Sequence, residues 1–447
     1  MQRTAMVLGI MAAFTLGAAP ARADDAALKA EVDALRAEVA ALKVEVEHMH
    51  AQQAVAPASA AAPAAPAVAQ TSVPAPALPT PAPSARNATT LWGYGQLDYN
   101  RPTSRPADAQ ADLTRAVIGF NHEFDESTRV YGELEWEHAV TSAEDAGESE
   151  VEQLYVEHAL QPNYGVRAGL MLIPLGFLNE HHEPTNYYGV ERNFVETAII
   201  PSTWREGGAA VYGSTDSGLN WNVGVTTGFD LGKWDPASEE GRASPLGSIH
   251  QELQLAHAHD PSLFGELNWQ GIPGLNVGGG AFAGKIGQAG SRQTSGDVNF
   301  PADNSRLLLA EVHTRWQSGP FDVSALYARG TISDTQNLNL TFLGQPTPVP
   351  KSFWGGYAQS AWRALEWNES NLTPFVRYEA FNTAANYETQ PMGLDTAALP
   401  TQRVWTVGVN YYLNPNIVFK IDYQDFRYDD PTLNYGNRID LGIGYEF

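Results

Sequence analysis

The sequence predicts an all-β fold, a 16-stranded antiparallel transmembrane β-barrel preceded by a short α-helical coiled coil. Three observations carry this. Apolar and polar residues alternate along strand-like segments, short and long connections take turns between those segments, and nothing past the first segment is apolar for the ~20 residues that a spanning helix needs. The closing "NRIDLGIGYEF" shows the alternation in its plainest form. Ile439, Leu441, Ile443, Tyr445 and Phe447 share one face, with Arg438, Asp440, Gly442, Gly444 and Glu446 on the other.

Residues 1–23, MQRTAMVLGIMAAFTLGAAPARA, combine a short basic start, an apolar stretch and small residues at Ala21 and Ala23. This pattern predicts a secretory signal peptide cleaved after Ala23. Residues 24–52 follow a helical rhythm: Leu28, Val32, Leu35, Val39, Leu42, Val46 and Met49 are spaced by alternating steps of four and three. That is an a/d seam with Val at a and Leu at d, expected to pair chains as a periplasmic coiled coil. Three heptads are marginal alone, so the association is expected to depend on the rest of the chain. Residues 53–88 are alanine and proline with almost no charge. Proline at this density blocks helix and ladder alike and favours an extended spacer, on the order of 90 Å for thirty residues.

The chain has 447 residues, 27 basic against 51 acidic, and a formal charge of −24. Such an acidic balance argues against nucleic acid as a partner, because phosphate binding needs a basic surface. There is no cysteine. Thiol catalysis, CxxC redox chemistry and cysteine zinc sites are therefore excluded, and an oxidising compartment suits the composition.

Residues 89–447 form the barrel domain. Its sixteen predicted strands are 91–99, 113–124, 129–138, 150–160, 165–173, 205–213, 219–229, 262–270, 274–284, 305–316, 320–330, 352–364, 371–381, 402–413, 416–427 and 437–447. Every second connection is tight ("DEST", "QPNY", "STDSG", "GIP", "QSG", "LEWNES", "NP"), and those between are long. A barrel in a membrane has this asymmetry, with short turns at one rim and long loops at the other. Closure leaves no unpaired edge facing lipid. On the third strand Val130, Leu134 and Trp136 alternate with Glu133, Glu135 and Glu137. Three glutamates on one face are costly in a dry core and cheap against water, so the apolar face is expected to meet lipid and the polar face a wet lumen.

The barrel region resembles the outer-membrane porins, most closely the phosphate-selective porin O and P family. The resemblance rests on "LWGYGQLDYN", on "LMLIPLGFLNE" leading into "AIIPSTWREGGAAVYG", and on "VGVNYYLNPNIVFKIDYQ". It implies a trimeric sixteen-stranded barrel in the outer membrane with a short periplasmic coiled coil. The final "IDLGIGYEF", with Tyr445 and Phe447, looks like the signal read by the outer-membrane insertion machinery. Family selectivity would need a ladder of arginines and constriction lysines. This chain departs from that: only Lys233, Lys285, Lys351 and Lys420 fall in the barrel region. The expected lumen cations Arg115, Arg167, Arg315, Arg377 and Lys420 are scattered, and accompanied by Glu133, Glu135, Glu137, Glu157 and Glu311.

The connection after Ile173 is long and partly apolar, with Pro-Leu-Gly at its start and Ile-Ile-Pro at its end. It is expected to fold into the barrel and narrow it, with Asn179, Glu180, His181, His182, Glu183 and Arg192 as its polar constriction residues. Adjacent histidines bind Zn²⁺ or Cu²⁺ weakly, but no HExxH spacing supports a built metal site here. No GxSxG elbow appears. The chain thus reads as a passive channel for small hydrophilic or ionic solutes, with mild cation preference, no enzymatic activity and no cofactor. Phosphate or anion selectivity, and an envelope tether built from the barrel and coiled coil, are the alternative readings.

Overall fold

The structure, a computed structural model, describes residues 87–142, 144–288, 301–394, 396–429 and 436–447. The expected signal peptide and coiled coil, and all but the last two residues of the expected linker, lie outside the described residues.

Seventeen strands follow in chain order. The first six are β1 (Ala88–Pro102), β2 (Gln110–Glu123), β3 (Thr128–Glu137), β4 (Ser149–Gln161), β5 (Tyr164–Leu172) and β6 (Arg205–Ser214). Next come β7 (Leu219–Thr226), β8 (Ser262–Trp269), β9 (Leu275–Lys285), β10 (Arg306–Ser318), β11 (Phe321–Ile332) and β12 (Ser352–Trp362). The last five are β13 (Leu365–Trp367), β14 (Ser370–Asn386), β15 (Gln402–Asn414), β16 (Ile417–Tyr428) and β17 (Arg438–Glu446). β12 and the three-residue β13 both pair with β14 and occupy one place in the sheet. The cylinder therefore has sixteen staves, and each predicted strand falls on one of them. All pairings are antiparallel, and β1 pairs with both β2 and β17, which closes the barrel. Among the described residues no helix is long and apolar enough to cross a membrane.

The tight turns gather at one rim. In the β2–β3 turn the Asp125 carboxylate accepts from the backbone N–H of Ser127 at 2.8 Å and of Thr128 at 2.9 Å. The Ser127 bond, above all, holds its pKa below the usual carboxylate value.

Alternation sets the two faces. Leu134 and Trp136 on β3 point outward and are exposed, while Glu133 and Glu135 are buried inside. On β17, Ile439, Leu441, Ile443 and Tyr445 are exposed and Asp440 is buried. The interior departs from the uniformly wet lumen that this alternation predicts. Toward the long-loop rim, inward residues Phe282, Leu309, Phe353, Phe381 and Val404 pack with Val195, Ile199, Ile200 and Trp204 and with Phe229, Leu231 and Trp234 from the β7–β8 connection. Here the strands carry apolar residues on the inner face as well, because long connections fold back and cover them. Each such side chain contributes about 1.5–3 kcal/mol by leaving water.

Candidate functional site: an internal loop and the wall it faces

The β5–β6 connection, residues 173–204, crosses the inside of the barrel. Its two stems are zipped by Asn179, whose amide donates to Ile173 O at 2.8 Å and Trp204 O at 2.7 Å and accepts from Trp204 N at 2.7 Å. Gly176 turns the chain with φ +79°; a Cβ there would meet Glu196 Oε1 at 2.4 Å. That same oxygen accepts from Phe177 N at 2.5 Å and Leu178 N at 2.8 Å, and Glu196 Oε2 accepts from Asn193 and from Tyr357 on β12.

The loop tip then binds the opposite wall. Gly189 N donates to Asn410 Oδ1 at 3.2 Å, Asn410 Nδ2 to Tyr187 O at 3.1 Å, and Val190 N to Asp422 Oδ2 at 2.7 Å. Arg377 donates to Tyr188 O at 2.9 Å and, from Nε, to Glu379 at 2.9 Å. Two inward glycines on β17 make room: a Cβ on Gly442 would meet Val190 Cγ1 at 3.0 Å, and one on Gly444 would meet Pro184 Cβ at 2.4 Å. The small residues of "LGIGYEF" are thus a seat for the loop.

The predicted lumen residues divide into groups. Glu133, Glu135, Arg115 and Lys420 are inward but shut in behind the loop, at 2%, 1%, 6% and 5% exposure. Arg115 donates to Gln96 Oε1 at 3.1 Å, and Lys420 Nζ sits 3.6 Å from the Tyr187 ring centroid. Glu137 is half-buried at the end of β3. Glu157 is buried, paired with Arg129 and with Arg167 at 3.1 Å. Glu311 is buried and 2.9 Å from His313 Nδ1, while Arg315 is forked onto Asp322 at 2.5 Å. Arg377 is 1% exposed.

Between the loop and the β5–β10 wall lies an open space of about 400 Å³, bordered by Arg167, Glu180, His181, Glu266, His313 and Arg315. Glu180 lies 3.6 Å from Arg167. Glu183 turns instead to Asn186, at 2.6 Å, and Arg192 to Ser202. Both charge signs face this space, most of them paired.

His182 leaves its neighbour His181 and turns to the wall. Its Nδ1 meets Asn179 O at 3.0 Å and its Nε2 meets Tyr94 OH at 2.8 Å, with Glu152 Oε2 at 3.6 Å and Glu133 Oε1 at 3.9 Å. Glu152 escapes a reading by parity. The β3–β4 register slips between Glu133 and Leu134, so Glu152 is the extra residue of a bulge, and it and Gln153 both point inward. The signal in the sequence was the run "SEVEQ", where glutamates alternate in the opposite phase from Glu157.

No family model matches the chain. An uncharacterized protein of Aquifex aeolicus strain VF5 is 29% identical over 363 residues, covering 78% of each chain. Among solved structures, Salmonella typhi OmpF in complex with daunomycin superposes with a TM-score of 0.55 at 15% identity, covering 81% of this chain and 98% of its own. The outer membrane channel DcaP of Acinetobacter baumannii gives 0.52 at 14% identity, covering 81% and 98%. At this identity the likeness establishes the fold: a sixteen-stranded β-barrel of the outer-membrane porin type.

Proposed function

We propose that the protein is an outer-membrane porin, a passive diffusion channel for small hydrophilic or ionic solutes. The observation that carries this is the internal loop: anchored at Asn410 and Asp422, it leaves an open space of mixed polar and apolar lining against the β5–β10 wall instead of filling the barrel. Glu180 pairs with Arg167 and Asp322 takes up Arg315, so the charges bordering the space largely cancel, which supports weak selectivity. Mild cation preference follows from the acidic balance of the chain. Its working form is a homotrimer in outer-membrane lipid, with the coiled coil in the periplasm, inserted by the outer-membrane machinery through Tyr445 and Phe447.

A second reading, selectivity for anions including phosphate, draws on the two arginines at the open space. Conductance of the purified protein in a planar bilayer, with reversal potentials in a KCl gradient, tests both. The expected result is an open channel with a small cation-selective potential. No conductance would leave the envelope tether; a strongly anion-selective channel blocked by phosphate would favour the second reading.

A further inference from the structure

We infer that Glu133, Glu152 and His182 form a site for one first-row divalent metal ion, Zn²⁺ or Mn²⁺, that staples the internal loop to strands β3 and β4. One ligand atom from each of the three lies within 4.8 Å of the other two, and all three residues are buried. The His182 Nε2 distances of 3.6 and 3.9 Å to the two carboxylates compare with about 3.4 Å between ligands of a tetrahedral ion at ~2.1 Å. A contraction of a few tenths of an ångström would bring the imidazole to ligand spacing from each carboxylate, supplying three of an ion's four positions and leaving the fourth to water.

Charge and hydrogen bonding point the same way. Glu152 is 0% exposed, yet its Oε1 has no donor, and Glu135 Oε1 beside it is also unpartnered. Glu135, Glu150 and Glu152 form a second triad sharing Glu152. The nearby guanidinium of Arg205 is taken up by Glu150 and Glu252. Among the described residues no lysine or arginine pairs with Glu133, Glu135 or Glu152. His182 is the basic side chain within 4 Å of Glu133 and Glu152, with Arg115 and Arg205 farther off. Several buried carboxylates sharing so little positive charge are expensive without a further proton or metal ion.

The imidazole is set up as a ligand. Asn179 O only accepts, so Nδ1 carries a proton; Nε2 lies 2.8 Å from Tyr94 OH, a bond it gives up to ligate an ion set between it and the carboxylates. Gln153 holds Glu133 at 2.6 Å, and Tyr94 OH reaches Glu152 at 3.4 Å, a second shell that orients both. One nitrogen and two carboxylates suit a first-row ion better than Ca²⁺ or Mg²⁺, which prefer oxygen alone. The inference is independent of conduction.

The test uses the full chain, stripped with chelator and refolded in detergent with Zn²⁺ or Mn²⁺ alone, desalted, and assayed for bound metal. One equivalent is expected in the wild type, with affinity weakened at least about tenfold in His182→Gln and in Glu152→Gln, and unchanged in His181→Gln. Because a variant in this cluster could fail to fold, the wild type loaded with Mn²⁺ is also examined by pulsed EPR, where coupling to one imidazole nitrogen is expected. No retained metal, retention that survives His182→Gln, or a spectrum without nitrogen coupling would each overturn the site. In the first case protons alone balance the carboxylates.

Discussion

Phe447 and Gly93 hold each other by two backbone bonds: Phe447 N donates to Gly93 O at 2.9 Å, and Gly93 N donates to Phe447 O at 3.2 Å. A Cβ on Gly93 would lie 2.9 Å from the Phe447 ring and 2.5 Å from Val117 O. The seam between β1 and β17 therefore depends on both residues. Deleting Phe447 should lower the amount of folded protein in the outer membrane without lowering synthesis, and Gly93→Val should act in the same direction. Surface labelling alongside total immunoblot measures this, and normal surface abundance of the deletion would refute it.

The loop anchors should control noise in the channel. Asp422→Ala removes the acceptor of Val190 N, and Asn410→Ala removes partners of both Gly189 and Tyr187. Each leaves buried backbone groups unpaired, at about 1–3 kcal/mol. The double variant should show larger or more fluctuating single-channel conductance, while Asp422→Asn, which keeps an acceptor oxygen, should stay near wild type. Identical traces for all three would mean the loop is held elsewhere.

Selectivity should follow the charges that reach the open space. Glu180→Gln with Glu266→Gln is expected to move the reversal potential toward anions at low salt, an effect that shrinks as screening shortens to about 8 Å near 0.15 M. Glu133→Gln with Glu135→Gln should move it less, because those carboxylates are 2% and 1% exposed. The reverse order would place the permeation path on the β3 side.

Val312 lies mid-strand on β10, exposed on the outer face at 63%. Val312→Arg should cost about 2–4 kcal/mol in lipid, the range for a cation near the bilayer midplane on a barrel's outer surface. Urea titration of refolding into phospholipid vesicles measures it. An unchanged midpoint would argue that this face does not meet lipid.

Much of the barrel was legible because its signals are local. Period-two alternation and turn residues locate Ile439 to Tyr445 or Leu134 and Trp136 without knowledge of any partner. The site was less so. Glu152 was hidden by a single bulge that shifts the parity of β4. His181 and His182 look alike in sequence; one borders open space, while the other is sealed against Tyr94, which lies 88 positions away. The dry half of the interior was missed for a similar reason. Phe282 and Leu309 read as misplaced apolar residues until Trp204 and Phe229 cover them.

The bonds that seat the loop join residues very far apart along the chain: Gly189 with Asn410 across 221 positions, Val190 with Asp422 across 232, Thr185 with Glu446 across 261. Their partners all lie on β15 to β17, the strands that close the barrel onto β1. Contacts of such range are slow to form, because the chain between must be ordered before they repay it. The loop therefore takes its final position only when the closing strands arrive, with Gly442 and Gly444 presenting the space it fills. Closure of the cylinder and shaping of its bore become a single late event, and a chain delayed at that step carries an unshaped loop beside an open edge.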